Sequence, residues 1–274
     1  MYPILFHLGP LTIHTYGVML ALGVALGAWA LAVLARRAGL NQDRVLSLAL
    51  WTLLAGLAGA RLAYLVLEPG PLGPQLKQFF MIWQGGLVFY GGLALAVPVG
   101  LWLARRYGLP LLTLLDISAP AMALGQAFGR LGCFFSGDSY GRPWDGPWAV
   151  VFSDPHAIAP QGVPLHPTQL YITGALLLIF AFLWWLWPRR RFGGQLILLY
   201  GLLHGVARLI IEPLRGDWRG EPLWGWLTPT GLFAALMAAA CLAVYLALRR
   251  RGGQPPAAGP GRAARRRGAT SRSA

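Results

Sequence analysis

The sequence predicts an all-α membrane protein of seven transmembrane helices. Its N-terminus is expected outside, its C-terminus in the cytoplasm, and a polar extracytoplasmic loop between helices four and five. Three observations carry that expectation. Only 12% of the 274 residues are charged and 56% are hydrophobic, whereas a soluble domain carries about 25% charged residues. Seven apolar runs recur, each near the roughly 20 residues that cross a 30 Å hydrocarbon core. Arginines cluster at alternate ends of those runs, as the positive-inside rule requires.

The first span covers 13–35 and stops on Arg36 and Arg37. The second, 45–67, encloses Arg61 within an apolar run. A Pro/Gly loop follows, and QLKQFFMIWQ at 75–84 reads as a short amphipathic helix lying in the interface. Span three, 86–103, ends just before Arg105 and Arg106, and span four covers 111–128. A long polar loop over 129–167 then leads to span five, 168–187, which ends on Arg189 to Arg191. Spans six and seven cover 194–211 and 228–248. Twelve tryptophans suit the aromatic belts at the two membrane–water interfaces.

With the N-terminus outside, the inner segments hold Arg36, Arg37, Arg44, Arg105, Arg106 and Arg189 to Arg191. The tail adds Arg249 to Arg251, Arg262, Arg265 to Arg267 and Arg272, so most of the 23 basic residues lie inside. Of the nine acidic residues only Asp43 and Asp116 join them. The net charge of +14 is therefore a topology signal, and no nucleic-acid partner is expected. Residues 1–251 read as one transmembrane domain and 252–274 as a disordered basic cytoplasmic tail, a solvated segment without specific function in preference to one that meets anionic headgroups. The opening MYPILFHLGPLTIHTYG lacks the basic n-region and cleavage site of a signal peptide, so it is expected to remain. Cys133 and Cys241 cannot build a disulfide framework. The scattered histidines show no metal-ligand spacing. With no Walker loop, GxSxG elbow or dinucleotide fingerprint, no cofactor is expected.

Chemistry concentrates in GRLGCFFSGDSYGRPWDGPW, residues 129–148, which carries Arg130, Cys133, Asp138, Arg142 and Asp145. Polar, glycine-rich backbone beside membrane helices is tolerated where it is buried in protein or lines a wet cavity. Arg61, Arg130 and Arg208 fall in or at the edge of apolar runs, where topology gives no reason for them. Glu212 follows Arg208 by four residues, so the two share a helix face and can pair. That pair either locks helix six or serves the site. Arg130 supplies a second cation on the same outer side, and two guanidiniums suit the oxygens of a phosphate. In a membrane the abundant phosphate is a phospholipid headgroup. Tyr16 in HTYG and Tyr90 among paired glycines also fall on the outer side, as does His166 in HPTQLY. His204 stands one turn before Arg208.

Taken together, HTYG, WQGG…YGG, the 129–148 stretch, HPTQLY, YGLLHGVARLIIEPLR and LTPTG resemble the bacterial prolipoprotein diacylglyceryl transferase family, over nearly the whole chain and in its order. The resemblance implies seven helices and transfer of a diacylglyceryl group from phosphatidylglycerol to the lipobox cysteine of a preprolipoprotein. It implies location in the bacterial inner membrane, with the active site toward the outer face. Arg130 matches the family's signature arginine on the phospholipid, Arg208 and Glu212 its later Arg and Glu, and Tyr16 its first-helix Tyr. The candidate catalytic set is thus Arg130, Arg208, Glu212, Tyr90 and Asp138; Arg130, Tyr16, Arg208 and His166 would bind the phospholipid. The family commonly has His at Tyr90, Asn at Cys133, Glu at Asp138 and Glu at Ile172. An unperturbed phenol, titrating near 10, is a poor base at neutral pH. Two other readings stay open: a same-fold transferase with another acceptor, and a lipid-binding or transport protein without chemistry.

Overall fold

The computed structural model describes residues 2–8, 11–67, 86, 88–218, 221, 223 and 228–250. The helix expected over 75–84 and the tail from 252 lie outside them. Seven α-helices stand among the described residues: α1 (Thr15–Arg37), α2 (Gln42–Leu67), α3 (Phe89–Arg106), α4 (Leu111–Ser136), α5 (Thr168–Leu186), α6 (Gln195–Ile211) and α7 (Pro229–Arg250). Six are long and apolar enough to cross a membrane. The other, α3, has 18 residues and includes Arg105 and Arg106 in its last turn.

Two small antiparallel sheets accompany the helices. β1 (Ile4–Leu8) pairs with β2 (Leu11–His14), and β3 (Val150–Val151) with β4 (Pro164–Leu165). The first pair falls where the sequence reading expected no element, although the apolar segments flank Gly9-Pro10, a turn signal. Thr15 ties the pair to α1: its amide donates to the Pro3 carbonyl at 2.9 Å and its hydroxyl to the Tyr2 carbonyl.

The chain forms two compact units, with the boundaries inside α1 and α4. One comprises 34–114, hence α2 and α3. There the helices close on small residues: a Cβ built at Gly59 would fall 2.5 Å from the Gly91 carbonyl oxygen. Only glycine permits that approach, a usual device of membrane helix pairs. Arg61, 2% exposed, donates from Nη1 to the Gly86 carbonyl at 3.1 Å and lies over the Tyr64 ring.

The other unit comprises the described residues up to 33 and from 115 to 250, hence most of α1 and α4 with α5, α6 and α7. Ala127, Ile172, Leu176 and Ile211 form a core between α4, α5 and α6. Gly205 lets α6 meet α7, since a Cβ there would stand 2.8 Å from the Ala234 carbonyl oxygen. Asp116, fully buried, fixes the start of α6. Its carboxylate accepts from the amides of Gly194 (2.9 Å), Leu196 (2.8 Å) and Ile197 (3.3 Å). Those are first-turn donors with no partner inside the helix, and the helix dipole favours an anion there.

Two expectations need revising in this unit. α4 continues past Phe128 to Ser136, so Arg130 and Cys133 are helical, and Gly137, at φ 75°, ends it. The loop beyond is not simply polar. Phe152, Ala159 and Leu165 are at most 3% exposed and form a core of their own, flanked by Tyr140, Val150, Ala157 and Val163.

Candidate active site

Five helix ends of the larger unit converge: the starts of α1, α5 and α7 and the finishes of α4 and α6. Contacts at that end are polar, in contrast to the apolar packing along the helices. The far ends of α5 and α7 carry Arg189 to Arg191 and Arg249–Arg250.

Arg208 and Glu212 make the strongest contact. Nε lies 3.0 Å from Glu212 Oε2, with both side chains mostly buried. The other carboxylate oxygen, Oε1, accepts from Thr230 at 2.8 Å and also from Thr228. Thr228 is the cap of α7. Its oxygen accepts the Gly231 amide at 3.0 Å, and Pro229 takes the first helical position. Glu212 thus reaches across from α6 to the start of α7. Buried charges persist only when paired and hydrogen-bonded, and Arg208, Thr228 and Thr230 do this with side chains.

Arg130 projects from the last turns of α4 and donates from Nη1 to Ser139 Oγ at 3.4 Å. It forms no ion pair among the described residues. Ser139 holds φ 58°, a left-handed conformation rare for a residue with a Cβ. Three contacts hold it there: its amide donates to Asp138 Oδ1 at 2.7 Å, Thr168 Oγ1 donates to its carbonyl at 2.9 Å, and Gln169 Nε2 donates to the Asp138 carbonyl at 2.8 Å. The start of α5 therefore sets the turn that faces Arg130. Cys133 points its thiol at Asp138 Oδ2, 3.8 Å away. Tyr16 packs on Gly132, where a Cβ would fall 3.0 Å from the ring, and is within electrostatic reach of Arg130, Cys133 and Asp138.

The segment after α6 closes the turn from the other side. Arg215, 8% exposed, holds Asp217 in a bidentate pair at 2.9 and 2.6 Å. Arg142 Nε donates to the Arg215 carbonyl at 3.2 Å, and the amides of Arg142 and Gly216 bond the carbonyls of Leu214 and Tyr140. His204 lies within electrostatic reach of both Arg130 and Arg208, which places both guanidiniums in one neighbourhood.

Of the expected site residues, Tyr16, Arg130, Asp138, Arg208 and Glu212 share this end of the unit. His166 joins an aromatic cluster beside it: its ring stacks on Trp144 at 4.4 Å, and Nδ1 lies 3.2 Å from the Tyr171 hydroxyl, which accepts from Trp148 Nε1 at 2.7 Å. Tyr90 belongs to the smaller unit, in the first turn of α3, and is 66% exposed. Ser139, Gln169, Thr228, Thr230 and Arg215 are site members that sequence reasoning did not single out. The LTPTG and HPTQLY motifs contained three of them, Gln169, Thr228 and Thr230, but nothing local says where a threonine or glutamine will reach. No three His, Cys, Asp or Glu side chains gather to hold a metal ion among the described residues.

Long apolar helices, with a cluster of charged and polar side chains gathered at one end, define a multi-pass membrane protein. The sequence matches the prolipoprotein diacylglyceryl transferase family model over residues 3–247. It is 34% identical over 224 residues to the phosphatidylglycerol–prolipoprotein diacylglyceryl transferase of Clostridium tetani, covering 81% of this chain and 88% of that protein. With the Pseudomonas paraeruginosa protein of that name it shares 34% identity over 272 residues, 93% of this chain and 97% of the other. With the Finegoldia magna protein the figures are 35%, 77% and 83%. This chain belongs to the prolipoprotein diacylglyceryl transferase family and is a transferase.

Proposed function

We propose that this chain transfers the diacylglyceryl group of phosphatidylglycerol to the lipobox cysteine thiol of a preprolipoprotein. The reaction forms a thioether and releases glycerol phosphate. The observation that carries the reading is the gathering of Arg130 with the Arg208–Glu212 pair at one end of the helices, in a chain whose relatives bear that activity in their names. The protein spans the bacterial inner membrane seven times. Its N-terminus is outside, its basic tail is cytoplasmic, and its site faces outward; the alternating arginine clusters support that orientation.

The chemistry asks for two things. The acceptor must become a thiolate, the nucleophilic form of the thiol. The leaving glycerol phosphate must be stabilised as negative charge collects on it, and fixed cations in a low-dielectric site do this well. Arg130 and Arg208 fill that role as bidentate donors to the phosphate oxygens. Glu212 holds Arg208 in place, Asp138 shapes the turn that receives the donor, and Tyr16 lines it. His166 and its aromatic neighbours flank the headgroup. The acyl tails stay in lipid throughout.

Purified protein incubated with phosphatidylglycerol vesicles and a lipobox peptide should add a diacylglyceryl mass to the peptide cysteine. Tight lipid binding with no mass gain would instead favour a lipid-binding protein without chemistry.

A further inference from the structure

The site as described lacks a proton acceptor for the incoming thiol. Its carboxylates are engaged: Glu212 by Arg208, Thr228 and Thr230, and Asp138 by the Ser139 amide and the Cys133 thiol. Tyr16 is a phenol, and phenols accept protons poorly at neutral pH. Four of the five histidines are placed elsewhere or already used. His7 bonds Thr12 and is exposed, His14 is exposed, and His156 is bonded to Asp154 at the surface. His166 is stacked on Trp144 and bonded to Tyr171.

His204 differs from all of them. Its Nδ1 is buried and has no hydrogen-bond partner among the described residues. The ring stacks on Tyr200 at 5.6 Å and 20°, which fixes its plane. It stands one helical turn before Arg208, on the same face of α6. Both guanidiniums assigned to the phosphate lie within electrostatic reach. A buried imidazole nitrogen left unpaired is costly, so it needs a reason, and a substrate proton is one. Nδ1 of a neutral imidazole in the right tautomer is an acceptor.

We infer that His204 is the general base that takes the proton of the acceptor cysteine. This rests on the transferase reading above. Nδ1 accepts the S–H proton as the sulfur attacks the glycerol carbon that carries the phosphate ester. The new C–S bond forms as the C–O bond breaks, and its electron pair leaves on the phosphate oxygen of glycerol phosphate. The imidazolium then returns its proton to that phosphate, and the neutral ring is restored.

The test compares two acceptor peptides, one with the lipobox cysteine and one with selenocysteine in its place, in phosphatidylglycerol vesicles. A selenol is already ionised at neutral pH and needs no base. His204→Gln should lose about 10²–10⁴-fold in kcat/KM on the cysteine peptide, yet stay within about tenfold of wild type on the selenocysteine peptide. Equal losses on both peptides would mean that His204 only supports the fold, and no loss on cysteine would remove it from the reaction; either overturns the inference. Wild-type protein inactive on both peptides would overturn the transferase reading itself.

Discussion

The two ends of α6 are each held by a buried carboxylate, in opposite ways. At its start, Asp116 accepts only backbone amides, those of Gly194, Leu196 and Ile197. At its finish, Glu212 is held by side chains: it pairs with Arg208 and accepts from Thr228 and Thr230. Backbone donors cannot rotate away without unwinding the helix, so Asp116 is a fixed latch. Side-chain donors can exchange partners, and Arg208 can turn toward a phosphate while the threonines keep Glu212 satisfied. Burial alone does not separate a structural acid from a working one here. The identity of the donors does.

The comparison breaks first at the cations. Arg208→Ala should lower kcat by about 10²–10³-fold, the usual cost of removing one preorganised donor to developing charge, and Arg130→Ala should match it. Both variants should still insert and extract from membranes as wild type does. Wild-type turnover by purified Arg130→Ala protein would sink the phosphate role. The next contrast is between the two acids themselves. Glu212→Gln keeps an acceptor for the threonines but removes the charge that orients Arg208, and misplacement of this kind costs up to about 10²-fold in rate; the unfolding midpoint should barely move. Asp116→Ala leaves three amides without their acceptor. It should cost about 2–4 kcal/mol of stability with kcat per folded molecule unchanged. A stable but inactive Asp116→Ala protein would undo the distinction.

How much of this could be read in the sequence follows the same divide between local and distant partners. The helices were legible because each is an apolar run of membrane length, and the Arg208–Glu212 pair because four residues is one helical turn. The latch was not, because Asp116 meets its donors 78 residues or more along the chain. α4 runs past its expected end because Gly129 and Gly132 look like a loop but sit in helical backbone. The small core around Phe152 was hidden within a stretch whose glycines and prolines dominate its composition. The left-handed turn at Ser139 has no signature at all, since serine is not a residue that favours it.

That turn gives a smaller and two-signed effect. Ser139→Gly removes a left-handed residue with a Cβ, worth about 1 kcal/mol of strain, and also the hydroxyl that accepts from Arg130. The protein should melt slightly higher while kcat falls about three- to tenfold, in line with the loss of one neutral hydrogen bond. A rise in both would mean that the Arg130 contact does not matter to the reaction.

Asp154 supplies the control that separates donor type from burial, and the smallest effect. Like Asp116 it accepts a backbone amide, that of His156 at 2.8 Å, but it lies at the surface of the loop. The His156 amide, with its imidazole 3.1 Å away, holds the Asp154 carboxyl below its ordinary range. A carboxyl lowered on folding stabilises the folded loop above the unfolded value of about 3.9, and that contribution fades as pH falls through the folded value. Asp154→Asn should therefore speed hydrogen exchange at the His156 amide modestly at pH 6, and the difference from wild type should shrink as the pH falls below the unfolded value of about 3.9. Activity at neutral pH should not change. If Asp154→Asn instead destabilised the whole protein as Asp116→Ala does, donor type alone would account for the latch, and its burial would be incidental.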